Sequence, residues 1–319
     1  MNNTNIIRLI MIVAVLITGL LSVSCIKDSY GDCPRPFRLF IKAIDADMND
    51  ITSSGEVQQV ILFVFNEKQE IVKAIELDTN HIKSNKPVDV KLDYPGHQAL
   101  QFVAWGNIGP NVEFPTINSV KKINDLYVSL KNAEAKTMTS GKISHSPDDL
   151  FYGNLSVPVE YRGVEPSGDQ TIVLSRKTAQ VSTAAFGLKL WNRNLEGEYA
   201  FELGVSLDTY NEAGILTDNI TGYSPAANMD NLGNLSTPIF HTFPTSDGKT
   251  YTLYIRFNGE VIFADTKDSN GHLFVPEVGR LLNIIIHFEA PREDQKVPSN
   301  VSIKTVVTPW NQVFQHVEL

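Results

Sequence analysis

From Phe37 to Trp310 the chain runs in short stretches where apolar and polar residues alternate, and a period of two is the signature of strands that bury one face. Phe37, Leu39 and Ile41 alternate with Arg38, Phe40 and Lys42. Residues 57–65 are denser in Val, Ile and Phe and read as a buried strand, which Asn66-Glu67-Lys68-Gln69 turns into a hairpin with 71–77. Residues 88–92 and 100–105 continue the series around the turn Tyr94-Pro95-Gly96. Later strands are expected at 171–174, 179–190, 199–207, 250–257, 261–264, 281–288 and 301–310. One stretch breaks the rule. Val120, Ile123, Leu126, Tyr127 and Leu130 recur at three and four, which predicts a short helix capped by Asn118 or Ser119.

Two such runs flank residues 161–170, Tyr-Arg-Gly-Val-Glu-Pro-Ser-Gly-Asp-Gln, a stretch of turn formers with no strand pattern. The expectation is a mainly all-β chain with two β-sandwich domains in tandem, residues 34–168 and 169–319, and one short helix in the first. Residues 210–247, rich in Asn, Gly, Thr and Pro, read as a surface loop, and no short-period repeat is visible.

The N-terminus carries an address. Arg8 precedes an apolar run from Leu9 through Leu21, interrupted by Thr18 and Gly19, and the run ends at Ser22-Val23-Ser24-Cys25. That is a secretory signal of residues 1–24, with a small residue before a cysteine that signal peptidase leaves to carry acyl chains. Ser22 stands where a Leu is usual three places before the cysteine, and Leu21 lies one place earlier; an ordinary secretory signal or an uncleaved anchor is the alternative. Residues 25–33 then form an acylated tether, and several acyl chains at Cys25 hold a protein on a membrane where one does not. Acylation of Cys25 leaves Cys33 without a disulfide partner, so the fold must stand on packing.

Net charge of −9 becomes one unit more negative when Arg8 leaves with the signal, which disfavours nucleic acid as a partner because nothing neutralises phosphates. Catalytic motifs are missing: no Gly-x-Ser-x-Gly elbow, no phosphate loop, no His-Glu-x-x-His, and the 7 histidines are scattered without ligand spacing. Ser144-His145 reads as a solvated pair. Asp45, Asp47, Asn49, Ser53 and Glu56 fall at calcium-loop positions, but Asp50 stands where the sharp turn needs Gly and the flanks read as strands, so a polar connecting loop is expected and no metal or other cofactor is assigned.

Several strings in order resemble the FimB/Mfa-type fimbrial anchor lipoproteins of the type V fimbriae of Gram-negative bacteria. They are the signal with its cysteine, then Asp32-Cys33, Val60-Ile61-Leu62-Phe63-Val64-Phe65, Phe102-Val103-Ala104-Trp105-Gly106-Asn107, Asp149-Leu150-Phe151-Tyr152-Gly153, Val173-Leu174-Ser175-Arg176 and a late Trp310. The resemblance implies two transthyretin-like sandwiches and a lipid-anchored place on the outer membrane at the base of a fimbrium. It also implies a pilin (shaft subunit) as partner and a non-catalytic role in holding the filament and limiting its length. Shaft subunits of such systems are thought to lose an N-terminal strand; an anchor acylated at Cys25 should keep it. The family also includes tip subunits, which leaves base and tip open.

Strand pairing is the expected mode of attachment, with Val301, Ile303, Val306, Trp310 and Val313 as the candidate contact residues. The same segment could instead close its own domain as the final strand. A surface lipoprotein that binds glycans through Trp191, Tyr210 and Tyr223 is the rival reading.

Overall fold

The computed structural model describes residues 38–88, 90, 99–138, 141–159, 168–245, 249–290 and 300–312. The first half gives β1 (Arg38–Ile44), β2 (Gln59–Phe65), β3 (Ile71–Asp78), the helical turn α1 (Thr79–Lys83), β4 (Ala99–Gly106), β5 (Val112–Glu113), β6 (Val128–Leu130), β7 (Asn132–Met138), β8 (Gly141–Ser144), β9 (Phe151–Pro158) and β10 (Asp169–Arg176). The second gives β11 (Ala179–Phe186), the turn α2 (Leu188–Trp191), β12 (Tyr199–Tyr210), β13 (Leu216–Tyr223), β14 (Asn228–Met229), β15 (Leu235–Ser236) and β16 (Phe240–Thr242). It closes with β17 (Thr252–Phe257), β18 (Glu260–Asp265), β19 (Arg280–Phe288) and β20 (Val301–Pro309). The fold is all-β.

A six-stranded sheet has the order β1-β10-β9-β4-β2-β3. Its middle strands β2 and β4 are buried on both faces, which is why 57–65 is so dense in apolar residues. On β2, Val60, Leu62 and Val64 enter one core with Leu39, Phe102, Ile172 and Ile82 of α1. Phe63 and Phe65 enter another with Val103 and Trp105. This second core continues without a break into Val181, Phe201, Leu253, Ile284 and Ile286 of the later strands. Each such side chain stabilises the fold by about 1.5–3 kcal/mol when fully buried. Gly153 lets β9 and β10 approach: a Cβ there would lie 2.4 Å from the Val173 carbonyl oxygen.

The other two sheets run β14-β15-β11-β19-β20, with β16 also on β11, and β18-β17-β12-β13-β8-β7, with β6 on β12 and β5 on β6. These pairings redraw the expected boundary at 168/169. β10 pairs with β1 along its length, from Arg38 opposite Asp169 to Ile44 opposite Ser175, and so completes the first sheet. β6 and β8, from the first half, pair with β12 and β13 of the second. The passage from one half to the other therefore falls at Lys177-Thr178, and the halves share a sheet.

Two local expectations also change. The helix at 120–130 is replaced by a 3-10 turn, Ile123–Asp125, followed by β6. The Asp125 carboxylate accepts the backbone N–H groups of Lys121 and Lys122, both at 2.8 Å, which closes a tight turn in place of a longer helix. Val120, Ile123 and Leu126 are buried at the spacing of three that such a turn eclipses. Residues 210–247 carry β13 to β16; their threonines serve the ladder, with Thr217 and Thr209 opposed across β12 and β13. The expected tether, Cys25, Cys33, the turn Tyr94-Pro95-Gly96 and most of 161–170 lie outside the described residues.

Candidate functional site

β20 pairs along all its 9 residues with β19, from Val301 opposite Phe288 to Pro309 opposite Arg280. It is the edge strand of its sheet. Ile303 is buried, Val301 packs against the same core, and Val306 is half-buried. Among the candidate contact residues these three thus serve the protein's own sheet; Val313 lies outside the described residues.

The outer edge of β20 is covered at its start. The loop after β18 brings Ser269 to Ile303, whose N–H donates to Ser269 Oγ at 2.8 Å and whose carbonyl accepts from Ser269 N at 2.9 Å. The Thr305 hydroxyl donates to Asp268 Oδ2 at 2.8 Å. Burial pushes the Asp268 carboxyl up, but the N–H groups of His272 and Asn270 and the Thr305 hydroxyl more than offset that and hold it well below the usual carboxylate range. Farther along, Val307 is 47% exposed, and Pro309 has no N–H to offer.

Trp310 anchors the end of the strand. The Arg176 guanidinium carbon lies 4.4 Å from the Trp310 ring centroid and 5.0 Å from that of Phe151. His241 also stacks on Trp310, with centroids 5.3 Å apart and planes 8° from parallel. Asn311 N–H donates to Gln180 Oε1 at 3.0 Å and Gln180 Nε2 donates to Asn311 Oδ1 at 2.7 Å. Gln180 Nε2 also faces His241 Nε2 at 3.2 Å, so that nitrogen accepts, and Nδ1 carries the proton toward the Pro147 carbonyl at 3.2 Å. Burial pushes the His241 imidazole down, in keeping with the neutral ring.

Beneath the stack, Arg176 Nε donates to Asp149 Oδ2 at 3.0 Å and its Nη2 pairs with Glu56. Burial works to push the Asp149 carboxyl up and the Arg176 guanidinium down. The Thr178 hydroxyl, which donates to Asp149 Oδ1 at 3.1 Å, and the contact with Arg176 work against that rise. Arg176 has a sequence signal: Ile172 and Leu174 are buried at alternate positions of β10 and Arg176 is next in that parity, so a cation was bound to be buried and in need of partners. His241, Gln180 and Asn311 carry no such signal, because the stack joins strands far apart in sequence.

The remaining candidates are engaged elsewhere. Asp45 accepts the amides of Asp47 and Asn49 in its own loop, Asp47 pairs with Arg280, and Asp50 caps Thr52, so this loop joins strands. Ser144 shares a hydrogen bond with Thr221 Oγ1 at 2.7 Å, and His145 is exposed. Tyr210 and Tyr223 are buried and Trp191 packs on Phe288 with ring centroids 4.8 Å apart. Tyr210 and Tyr223 thus present no ring for a sugar, which removes them as the expected exposed aromatics, and Trp191 is half-buried. Among the described residues no helix is long and apolar enough to cross a membrane.

Residues 30–316 match the family of fimbrillin-A associated anchor proteins Mfa1 and Mfa2. The chain belongs to this family. It is 34% identical, over 97% of both chains, to the major fimbrium anchoring subunit FimB of Porphyromonas gingivalis strain W83. Among solved structures it is similar to a putative adhesin from Bacteroides ovatus, with a TM-score of 0.61 at 14% identity over 89% of this chain and 96% of that one. The fimbrial anchor protein Mfa2 from Porphyromonas gingivalis gives a TM-score of 0.59 at 15% identity, over 87% of this chain and 98% of that one. These likenesses extend the Mfa2-like fold across both halves described above, and the strings Trp105-Gly106-Asn107 and Leu150-Phe151-Tyr152 prove to be parts of its packing. Trp105 is fully buried and Asn107 turns the chain with a φ of 58°.

Proposed function

We propose that this protein is an outer-membrane lipoprotein, acylated at Cys25, that anchors a fimbrium at the cell surface, limits its length and has no catalytic role. The observation that carries the reading is the 34% identity over nearly the full length of a fimbrium anchoring subunit. The architecture supports it: β1 is built into the first sheet, with Leu39, Ile41 and Ala43 buried, as expected of a subunit that keeps its N-terminal strand. The shaft pilin docks on the C-terminal side, where β20 stays paired to β19 and, among the described residues, Val307 stands exposed on its outer edge to meet an extended partner segment. Two measurements test this. Metabolic labelling with a fatty acid should mark the protein and fail for Cys25→Ala; undiminished labelling of the variant defeats acylation at that residue. Detergent extraction should co-purify a pilin with the wild-type protein, and cells lacking it should shed fimbriae; retention of fimbriae of normal length defeats the anchor role.

A further inference from the structure

An anchor must carry tension, and the topology sets how tension enters. The chain that precedes Arg38 joins β1 at its N-terminal end, while the C-terminal segment leaves beside Trp310, which touches Arg176 at the far end of β10. β1 and β10 are parallel and in register from Arg38–Asp169 to Ile44–Ser175. Their shared length is about 20 Å at ~3.3 Å per residue. A pull on the tether drags β1 from the Arg38 end, and a pull from the filament holds β10 at the Arg176 end. The two strands are then drawn past each other along their own axis. In that direction the hydrogen bonds of the ladder, which lie across the strands, are all loaded together and none can be broken in advance of the rest.

We propose that the parallel β1–β10 pair is a shear clamp that lets this chain hold under tension between its N-terminal tether and its C-terminal end. The inference rests on the membrane-anchor reading for its purpose, though not for its mechanics. Two further features fit. β1 is held on its outer side as well: Val88 N–H donates to the Leu39 carbonyl at 2.7 Å, Ile51 N–H to the Ala43 carbonyl at 2.9 Å, and Ala43 N–H to Thr52 Oγ1 at 2.9 Å. A slip by one residue would turn Leu39, Ile41 and Ala43 out of the core and bring Phe40 and Lys42 in, so the register has no neighbouring position to creep into. The Arg38–Asp169 ion pair at the entrance is about half exposed on both sides and adds little by itself.

The test is single-molecule stretching of the unacylated mature chain, residues 25–319, with Cys33→Ser so that Cys25 is the sole native thiol. One version is pulled between Cys25 and a cysteine added after Leu319. The other is pulled between Cys25 and Thr171→Cys, an exposed position near the Asp169 end of β10, which peels β1 off one bond at a time. Loss of β1 frees residues 38–58, a gain in contour length of roughly 70 Å that identifies the event in either geometry. The clamp requires this event to occur at a force at least about twofold higher when the pull is along the strands than when it peels them, since forced opening follows the barrier along the direction of pull. Equal forces in the two geometries, or a lower force along the strands, overturn the clamp. Because the protein is unacylated, that result is separate from the labelling outcome that bears on Cys25.

Discussion

The Arg176 guanidinium carbon sits 4.4 Å from the Trp310 ring centroid and so ties the end of the first sheet to the end of the last strand. A cation held against an indole in a partly desolvated place contributes about 0.5–2 kcal/mol. Trp310→Ala should therefore leave a folded protein whose urea midpoint falls by the equivalent of about 1–2 kcal/mol. Truncation after Pro309 should do much the same, because β20 ends at Pro309 and keeps its ladder. Truncation after Asn300 removes the strand and uncovers Ile284 and Ile286; that variant should not fold. A Trp310→Ala protein with an unchanged midpoint would show that the stack holds nothing.

Arg176 itself should matter more than its ring partner. Its side chain is 2% exposed and Asp149 is 16% exposed, so Arg176→Met leaves a buried carboxylate without its cation, at a cost of about 3–5 kcal/mol. Adding Asp149→Asn removes the stranded charge and should return more than half of that loss. Chemical denaturation of the two variants decides, and a double variant no better than the single one would mean that Glu56 or packing carries the interaction.

The Asp268 loop gives a pH signature. Its carboxyl is depressed on folding from an ordinary value of 3.8, so it contributes stability that is present above that value and is lost as the pH falls through the folded value. Thermal stability of the wild type should decline below about pH 4 through this group. Asp268→Asn should lose that increment at neutral pH and show a shallower decline in acid. His241 works in the same direction at higher pH: burial depresses it from 6.5, so stability present above that value falls as acid forces the ring to charge. Hydrogen exchange of the β20 amides should follow the first transition. Identical acid profiles for wild type and Asp268→Asn would remove the loop from the account.

Much of the fold could be read from alternation because strands dominate it, and the reading failed where composition stood in for pattern. Residues 210–247 look like a loop by their Asn, Gly and Thr content, yet Tyr223 is fully buried and Thr221 lies in the shared sheet. The period of three in Val120, Ile123 and Leu126 is as good a sign of a 3-10 turn as of a helix, and only the Asp125 cap distinguishes them. In the candidate site, Trp310 was visible as the last aromatic of a strand. Its partners Arg176 and His241 come from β10 and β16, and no local pattern reports that they meet.

Gly153 is a sharp test of the first sheet. Gly153 sits within β9 opposite Ala104, where the Val173 carbonyl leaves no room for a Cβ. Gly153→Ala should force β9 and β10 apart and cost about 1–3 kcal/mol as an overpacked site. An unchanged midpoint would mean that the two strands shift freely.

The last expectation concerns the unit of folding. The turn-rich stretch 161–170 invites a division into two independent domains, but three features bind what lies on either side of it. β10 follows the stretch and pairs with β1, which precedes it. β6 and β8 pair with β12 and β13, and one apolar core runs from Phe63 and Trp105 to Ile284 and Ile286. Tyr210 reinforces the junction, since its hydroxyl donates to the Lys177 carbonyl at 2.6 Å and its ring lies 6.1 Å from that of Trp105. Calorimetry of the mature protein should therefore show one transition, and residues 34–177 and 178–319 expressed apart should each lack cooperative unfolding. A protease cut within 161–167 should leave both pieces in one complex until denaturant is added, because the pairings that join β1 to β10 and β6 and β8 to β12 and β13 lie outside that stretch. Two separate transitions, or two halves that elute apart after the cut, would restore the independent domains.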